Sequence, residues 1–184
     1  MAGPEPTNEF LEKVIPLNLA IESLVDDCMK IVDEHKSSDS SLNIAMPYSI
    51  LLTEHVALPK GSDAIQYARL NQGGFFDLKT QAKLLPQYNE IKSLKELCDS
   101  IPFAFSAVRL SVLPPSTIIK MHQDKAAHAQ LAITTNDDSF VISRRGEMVH
   151  VPVDGNIYIF STTIHHTALN ASDVERIHMS ISVL

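Results

Sequence analysis

The chain has no tryptophan, and only 6% of its residues are aromatic. That shortage argues against a carbohydrate platform or a single-stranded nucleic-acid surface built from stacked rings. Basic residues are also few: 15 Lys and Arg stand against 22 Asp and Glu, for a formal charge of −7. No basic run is longer than Arg144-Arg145, so the sequence carries no electrostatic footprint for nucleic acid or an anionic membrane. No apolar run approaches the roughly 18 residues of a membrane helix. The opening MAGPEPTNEF has no basic segment followed by an apolar stretch, so no secretory signal is expected there. The two cysteines, Cys28 and Cys98, lack CxxC spacing and fall on expected helices among apolar neighbours. A free Cys in that setting behaves as a small buried hydrophobe, and a reducing, cytoplasmic location is expected.

What remains is ordinary globular material: 184 residues, 45% hydrophobic and 20% charged. One domain with a sizeable core is expected, with no internal repeat or composition break. Residues 1–8 read as a loose tail and 9–101 as a supporting segment. In the latter, Pro16 excludes a helix interior over Phe10–Leu19 and allows an edge strand. Asn18 is placed to cap a helix running to about Glu34, with Ile21, Leu24, Val25, Cys28, Ile31 and Val32 on one apolar stripe. Tyr48–Leu58 reads as one strand closed by Pro59 and Gly61. NQGGFFDLKT reads as a Gly-Gly turn followed by a short helix ending near Pro86. Asn89 is placed to cap a further helix whose apolar face holds Ile91, Leu94, Leu97, Cys98 and Ile101. His35 and His55 stand alone and read as locally satisfied.

From Pro102 onward the period becomes alternating. FAFSAVRLSVL, STIIKMHQD, AHAQLAITTN, SFVISR, EMVHVPV, GNIYIFS and RIHMSISVL are seven short strand-like segments separated by turn residues. That spacing predicts a sandwich or compact β-barrel over 102–184, with the N-terminal helices on one outer face. Residues two apart on a strand share a face. Arg176, His178, Ser180 and Ser182 thus oppose Ile177, Met179, Ile181 and Val183. Arg109 and Ser111 oppose Val108, Leu110 and Val112, and His128 and Gln130 oppose Leu131 and Ile133. The polar faces either meet water or converge inside the barrel mouth; alternation permits both.

His122 and Asp124 lie two apart at a strand end, so both point the same way. With a third ligand from a distant strand they form a face of two imidazoles and a carboxylate with open positions, the set of a non-haem Fe(II) oxygenase. Zinc can use the same ligands, and a lone HxD is a frequent accident. Further on come His165-His166, and ten residues beyond His166 a strand opens with Arg176, whose guanidinium fork suits a dicarboxylic acid.

The string VRLSVLPPSTIIKMHQD, LAITTN, GNIYIFSTTIHHTALNAS and ERIHMSISV resembles the 2-oxoglutarate/Fe(II)-dependent dioxygenases. The likeness is to the branch of aspartyl/asparaginyl β-hydroxylases and free L-proline cis-4-hydroxylase, and it covers about Val108 to Leu184. Aligning Gly155, Asn170 and Arg176 with its motif puts the distal metal ligand at His166 and not His165. The resemblance implies a double-stranded β-helix (jelly-roll, cupin-like), Fe(II) held by His122, Asp124 and His166, and 2-oxoglutarate held by Arg176. It implies hydroxylation of an unactivated C–H of an amino acid, a derivative or a peptide side chain, with O2 consumed and succinate released. The branch often carries Arg-x-His on the following strand to help hold the cosubstrate. The matching positions here are His128 and Gln130, of which Gln130 brings no charge and His128 brings one only when protonated. The carboxylate of Asp124 favours hydroxylation over halogenation, which needs that position vacated.

Weaker candidates complete the set. Arg109 faces inward by parity, as a substrate carboxylate site or an ion-pair partner. His178 shares the Arg176 face, Lys120 reads as an exposed strand lysine, Arg144 and Arg145 as a solvated turn, and His150 as structural. A non-catalytic or sensory metal-binding barrel, and a metal-dependent isomerase or hydrolase on the same barrel, remain open alternatives.

Overall fold

A computed structural model of the chain describes residues 10–55 and 82–184. The NQGGFFDLKT segment and the end of the strand expected to reach Leu58 lie outside the described residues.

Two antiparallel sheets face each other. The larger has six strands. β1 (Leu11–Pro16) sits at one edge and pairs with β10 (Asn156–Phe160). β10 pairs with β7 (His128–Thr134), β7 with β12 (Arg176–Val183), β12 with β5 (Phe105–Leu113), and β5 with the other edge, β2 (Tyr48–Leu51). The smaller sheet has the order β6 (Thr117–Ile118), β11 (His166–Asn170), β8 (Ser139–Ser143), β9 (Met148–Val149). From β5 to β12 the chain crosses repeatedly between the two sheets, which is the winding of a double-stranded β-helix. A further pair, β3 (Thr53–His55) with β4 (Ala82–Leu84), stands apart.

The main core lies on the outer face of the larger sheet. Val108, Leu110 and Val112 of β5, Leu131 and Ile133 of β7, and Ile177, Met179 and Ile181 of β12 are all buried there. They pack against Leu24, Cys28, Ile31 and Val32 of helix α1 (Ile21–Ser38) and Leu94 and Leu97 of α2 (Lys92–Ser100). The three- and four-residue spacing of those helical positions makes the covering stripe, and each fully buried Leu or Ile contributes about 1.5–3 kcal/mol. The helices do cover one outer face, and the polar faces of β5, β7 and β12 therefore turn into the barrel. A second apolar cluster, with Phe10, Val141, Val149, Val151 and Phe160, closes the other end.

Several local expectations are corrected. Asn18 does not cap α1: Leu17 N–H still bonds to Gly155 carbonyl at 3.2 Å, so the chain is held in its strand pairing until just before the helix. The helix starts at Ile21 after Ala20, with no side-chain cap, and runs on to Ser38. Asn89 is not a cap of α2 either; it closes a 3-10 turn at Pro86–Tyr88, and Ile91 precedes the helix. Where a helix was expected to end near Pro86, Ala82–Leu84 form a strand paired with β3. The expected Tyr48–Leu58 strand breaks at Leu52, whose N–H bonds to Val108 and whose carbonyl accepts from Leu85, so the chain changes sheets there. The barrel also has an eighth strand, β11, while β6 and β9 are far shorter than their segments suggested.

Candidate active site

After β6 the chain leaves the ladder and returns to it at one point. His122 N–H bonds to His166 carbonyl at 2.9 Å and His166 N–H to His122 carbonyl at 2.8 Å, an isolated antiparallel bridge. Directly opposed residues carry their side chains on the same face, and the two imidazoles lie 4.4 Å apart between ring centroids. Two residues on, Asp124 N–H bonds to Thr162 carbonyl at 2.9 Å, which fixes the third side chain on the same surface.

Each ring is oriented by its own backbone. His122 Nδ1 donates to Lys120 carbonyl at 2.9 Å, and His166 Nδ1 donates to Ile164 carbonyl at 3.1 Å. A carbonyl only accepts, so both Nδ1 atoms carry hydrogen and both Nε2 atoms present a lone pair. Those Nε2 atoms meet the Asp124 carboxylate: 3.8 Å from His122 to Oδ1 and 3.4 Å from His166 to Oδ2. One potential ligand atom from each of the three residues lies within 4.8 Å of the others. Asp124 Oδ2 is buried with no hydrogen-bond partner among the described residues. Burial, chiefly, lowers the His166 pKa and keeps the ring neutral. Two imidazole Nε2 atoms and a carboxylate are the donor set that a hard-to-borderline divalent ion requires.

The same cavity, about 300 Å³, is lined by the triad and by Arg176, Gln130, His178 and Arg109. Arg176 opens β12 and is 4% exposed. Its Nη2 donates to Gln130 Oε1 at 3.0 Å and lies 2.7 Å from His178 Nδ1. Burial pushes its pKa down to about 9, still charged at neutral pH. Among the described residues no carboxylate pairs with it. A buried cation with no counter-ion among the described residues is costly, and this end of the cavity suits an anion.

His128 and Arg109 stand on the remaining wall. His128 Nδ1 is 3.5 Å from Asp124 Oδ2, and its Nε2 is 3.4 Å from Ser182 Oγ. Desolvation is the largest influence on its pKa and lowers it, against the pull of Asp124. Protonation, the condition for His128 to stand in for an arginine, is opposed by its surroundings. Arg109 Nη2 donates to the same Ser182 Oγ at 3.4 Å, and its Nε is buried without a partner among the described residues.

A family model described as aspartyl/asparaginyl beta-hydroxylase matches residues 62–184. The chain belongs to the aspartyl/asparaginyl β-hydroxylase family. It is a hydroxylase by family, and its His122, Asp124 and His166 constellation suits a divalent metal. Two solved structures are similar to it at low identity. A Pseudomonas putida prolyl-4-hydroxylase is 12% identical over 93% of this chain and 91% of its own, with a TM-score of 0.47. A viral collagen prolyl hydroxylase from Paramecium bursaria Chlorella virus-1 is 11% identical over 98% of each chain, at 0.49. No curated protein matches the chain.

The hydroxylase brings all seven residues singled out in its sequence to one cavity: His122, Asp124, His166, Arg176, Gln130, His128 and Arg109. His178, one of the weaker candidates, lines it too, and the remaining candidates lie apart from it. His165 is exposed beside the buried His166, and Lys120 is exposed with only its carbonyl engaged. His150 donates from Nδ1 to Ser139 carbonyl at 3.1 Å, and His35 stacks on Tyr48. Arg144 and Arg145 are exposed in the turn between β8 and β9.

Two residues escaped sequence reasoning. Thr162 is buried in the cavity wall; its carbonyl holds Asp124, and its hydroxyl donates to Ala126 carbonyl at 2.7 Å. Asn170, noticed only as a motif position, is wholly buried and joins three segments. Its Nδ2 donates to the carbonyls of Leu113, Pro114 and Val174 at 3.0, 3.1 and 2.8 Å. Its Oδ1 accepts from Asn136, Ser139 and Ser172. A buried Asn with no polar alternation around it was the available signal.

Proposed function

We propose that this hydroxylase holds Fe(II) through His122, Asp124 and His166 and the far carboxylate of 2-oxoglutarate through Arg176, and that it oxidises a small acid held by Arg109. The observation that carries the reading is the buried Arg176 guanidinium, without an acidic partner among the described residues, in the same cavity as the triad. A sensory or isomerase barrel needs the metal site but has no use for that cation.

Bound iron and cosubstrate supply the O2 activation, with 2-oxoglutarate decarboxylated to succinate. The protein's residues do the rest. The backbone acceptors at Lys120 and Ile164 keep both imidazoles in the ligating tautomer. Gln130 Oε1 steadies the Arg176 fork. His128, neutral and 3.5 Å from Asp124 Oδ2, supplies no charge to a cosubstrate. Arg109, with its free Nε, faces the substrate side, where it takes the carboxylate of a free amino acid or a small derivative; a peptide side chain is the second substrate class. The cavity walls exclude bulk water from the reacting C–H.

The whole chain acting as one dioxygenase domain is part of the proposal; β1 pairs with barrel strand β10, and α1 covers the barrel sheet. So is the cytoplasm: both cysteines are unbridged, and burial pushes the Cys28 thiol up to about 12 and that of Cys98 to about 11. No helix of the described residues is long and apolar enough to cross a membrane. The acidic net charge supports a partner set without nucleic acid.

Anaerobic addition of 2-oxoglutarate to the Fe(II)-loaded protein should produce a visible charge-transfer band. Arg176→Ala should weaken binding by about 10- to 100-fold, the worth of a charged hydrogen bond. A folded, iron-loaded sample that shows neither band nor binding sinks the reading. A succinate-release screen over free amino acids and short peptides would then name the substrate, and Arg109→Gln should raise its KM.

A further inference from the structure

We propose that the outer face of the smaller sheet is the surface through which two copies of this chain pair, each strand lying antiparallel over its own counterpart. The inward face of that sheet carries His166, Ala168 and Val141, which line the cavity. On the outward face Leu169 stands opposite both Ile118 and Phe140, and Ile142 stands opposite Met148. Opposed residues share a face, so these five apolar side chains form one patch. Ile118 is 59% exposed and Met148 54%, and none of the five belongs to either apolar core. Both described helices lie over the larger sheet, so neither covers this one. A contiguous apolar patch of this kind marks a contact surface.

The charges at the ends of the patch indicate what covers it. The ladder between β8 and β11 runs one residue past β8 on each side. Arg144 N–H bonds to His165 carbonyl at 2.7 Å, and Ala171 N–H bonds to Asp138 carbonyl at 3.0 Å. Asp138 and Arg144 therefore keep the parity of Phe140 and Ile142. Along this face the strand reads Asp138, Phe140, Ile142, Arg144: an acid, two apolar residues and a base, spread over about 20 Å. Both charged residues are exposed, and among the described residues neither has an ion-pair partner.

A two-fold axis in the plane of the contact allows two arrangements. An axis along the strands lays Arg144 over Arg144 and Asp138 over Asp138. An axis across the strands reverses one copy, so that Asp138 of each copy meets Arg144 of the other while Phe140 and Ile142 pack in the middle. Only the second is charge-complementary, and it closes after two copies. A face four strands wide, with its turns, covers on the order of 500 Å², and two of them reach the low end of specific interfaces. The dimer is therefore a weak one, with a dissociation constant on the order of 10 µM.

Sedimentation velocity of the whole chain from about 1 to 300 µM brackets that value. Wild type should pass from monomer to dimer and no further, and Ile142→Asp should stay monomeric throughout. Arg144→Asp and Asp138→Arg, each alone, turn both ion pairs into repulsions and should weaken the dimer at least about tenfold. Mixed one to one, these two variants regain both pairs, and their heterodimer should recover wild-type strength. The charge variants alter exposed side chains only, so they decide the matter even if Ile142→Asp fails to fold. The proposal is overturned if wild type remains monomeric at about 300 µM, which gives the face to another segment of the chain or to a different protein. It is overturned equally by charge variants that dimerise like wild type, the behaviour of the axis along the strands, or by growth beyond a dimer.

Discussion

Asn170 offers a sharp test of how this site is held, because an isosteric change should be as harmful as a truncation. Its amide nitrogen faces three carbonyls, those of Leu113, Pro114 and Val174, at 2.8 to 3.1 Å. Asn170→Asp keeps the volume and the oxygen that accepts from Ser139 and Ser172. It replaces the donor with a second oxygen aimed at carbonyl lone pairs. The three carbonyls lose this donor, at up to about 1–3 kcal/mol each before relaxation, although Thr117 Oγ1 still donates to Pro114 and Ser172 Oγ to Val174. Sharing of two N–H groups among three acceptors, and partial rearrangement, bring the expected loss to about 3–5 kcal/mol. Asn170→Ala should fall in the same range. Urea unfolding of the metal-free protein at neutral pH measures both. The sign of the pH effect is specific. The introduced carboxylate has its folded pKa raised by burial and by the carbonyls, so it is most harmful at neutral pH and the deficit shrinks as pH falls and it protonates. An Asp variant within about 0.5 kcal/mol of wild type would show that the site needs only the volume, and the argument fails.

Other outcomes follow from the same geometry. His166→Ala should abolish Fe(II) binding in a metal titration while His165→Ala leaves it within about twofold, since only the former side chain enters the cavity; the reverse result would move the ligand by one position. The depressed pKa of His178 makes metal-free stability pH-dependent. With the folded value below the unfolded 6.5, its contribution is fully present above pH 6.5 and is lost as pH falls below it, at about 1.4 kcal/mol per unit. His178→Gln should flatten denaturation midpoints over that window, and an unchanged slope would place the proton uptake elsewhere.

Much of this site was legible in the sequence because strand parity is rigid. Arg109, Gln130, Arg176 and His178 sort onto one face of their strands from spacing alone. What spacing left open was whether that face meets water or the barrel interior. The answer depended on α1 and α2 claiming the apolar face, a tertiary fact. His122 and Asp124 are expected at the end of a strand over STIIKMHQD, yet only Thr117–Ile118 of that segment form one. Their shared direction comes from a single bridge to His166 and one bond to Thr162, partners distant in sequence. The helix caps failed for a related reason: Asn18 has a capping side chain, but the strand pairing at Leu17 delays the helix past it. The break at Leu52 has no local sign, since it is caused by Val108 and Leu85.

The bridge between His122 and His166 has a consequence for assembly of the enzyme. Two proposed ligands are directly opposed in one ladder, so slipping β11 by one residue would turn the His166 side chain to the opposite face. With the ion held as proposed, metal capture would act as a proofreading step for the fold. A chain that closes its barrel in the wrong register has no three-ligand face to offer, and the ion, bound only to the correct register, pulls the population toward it.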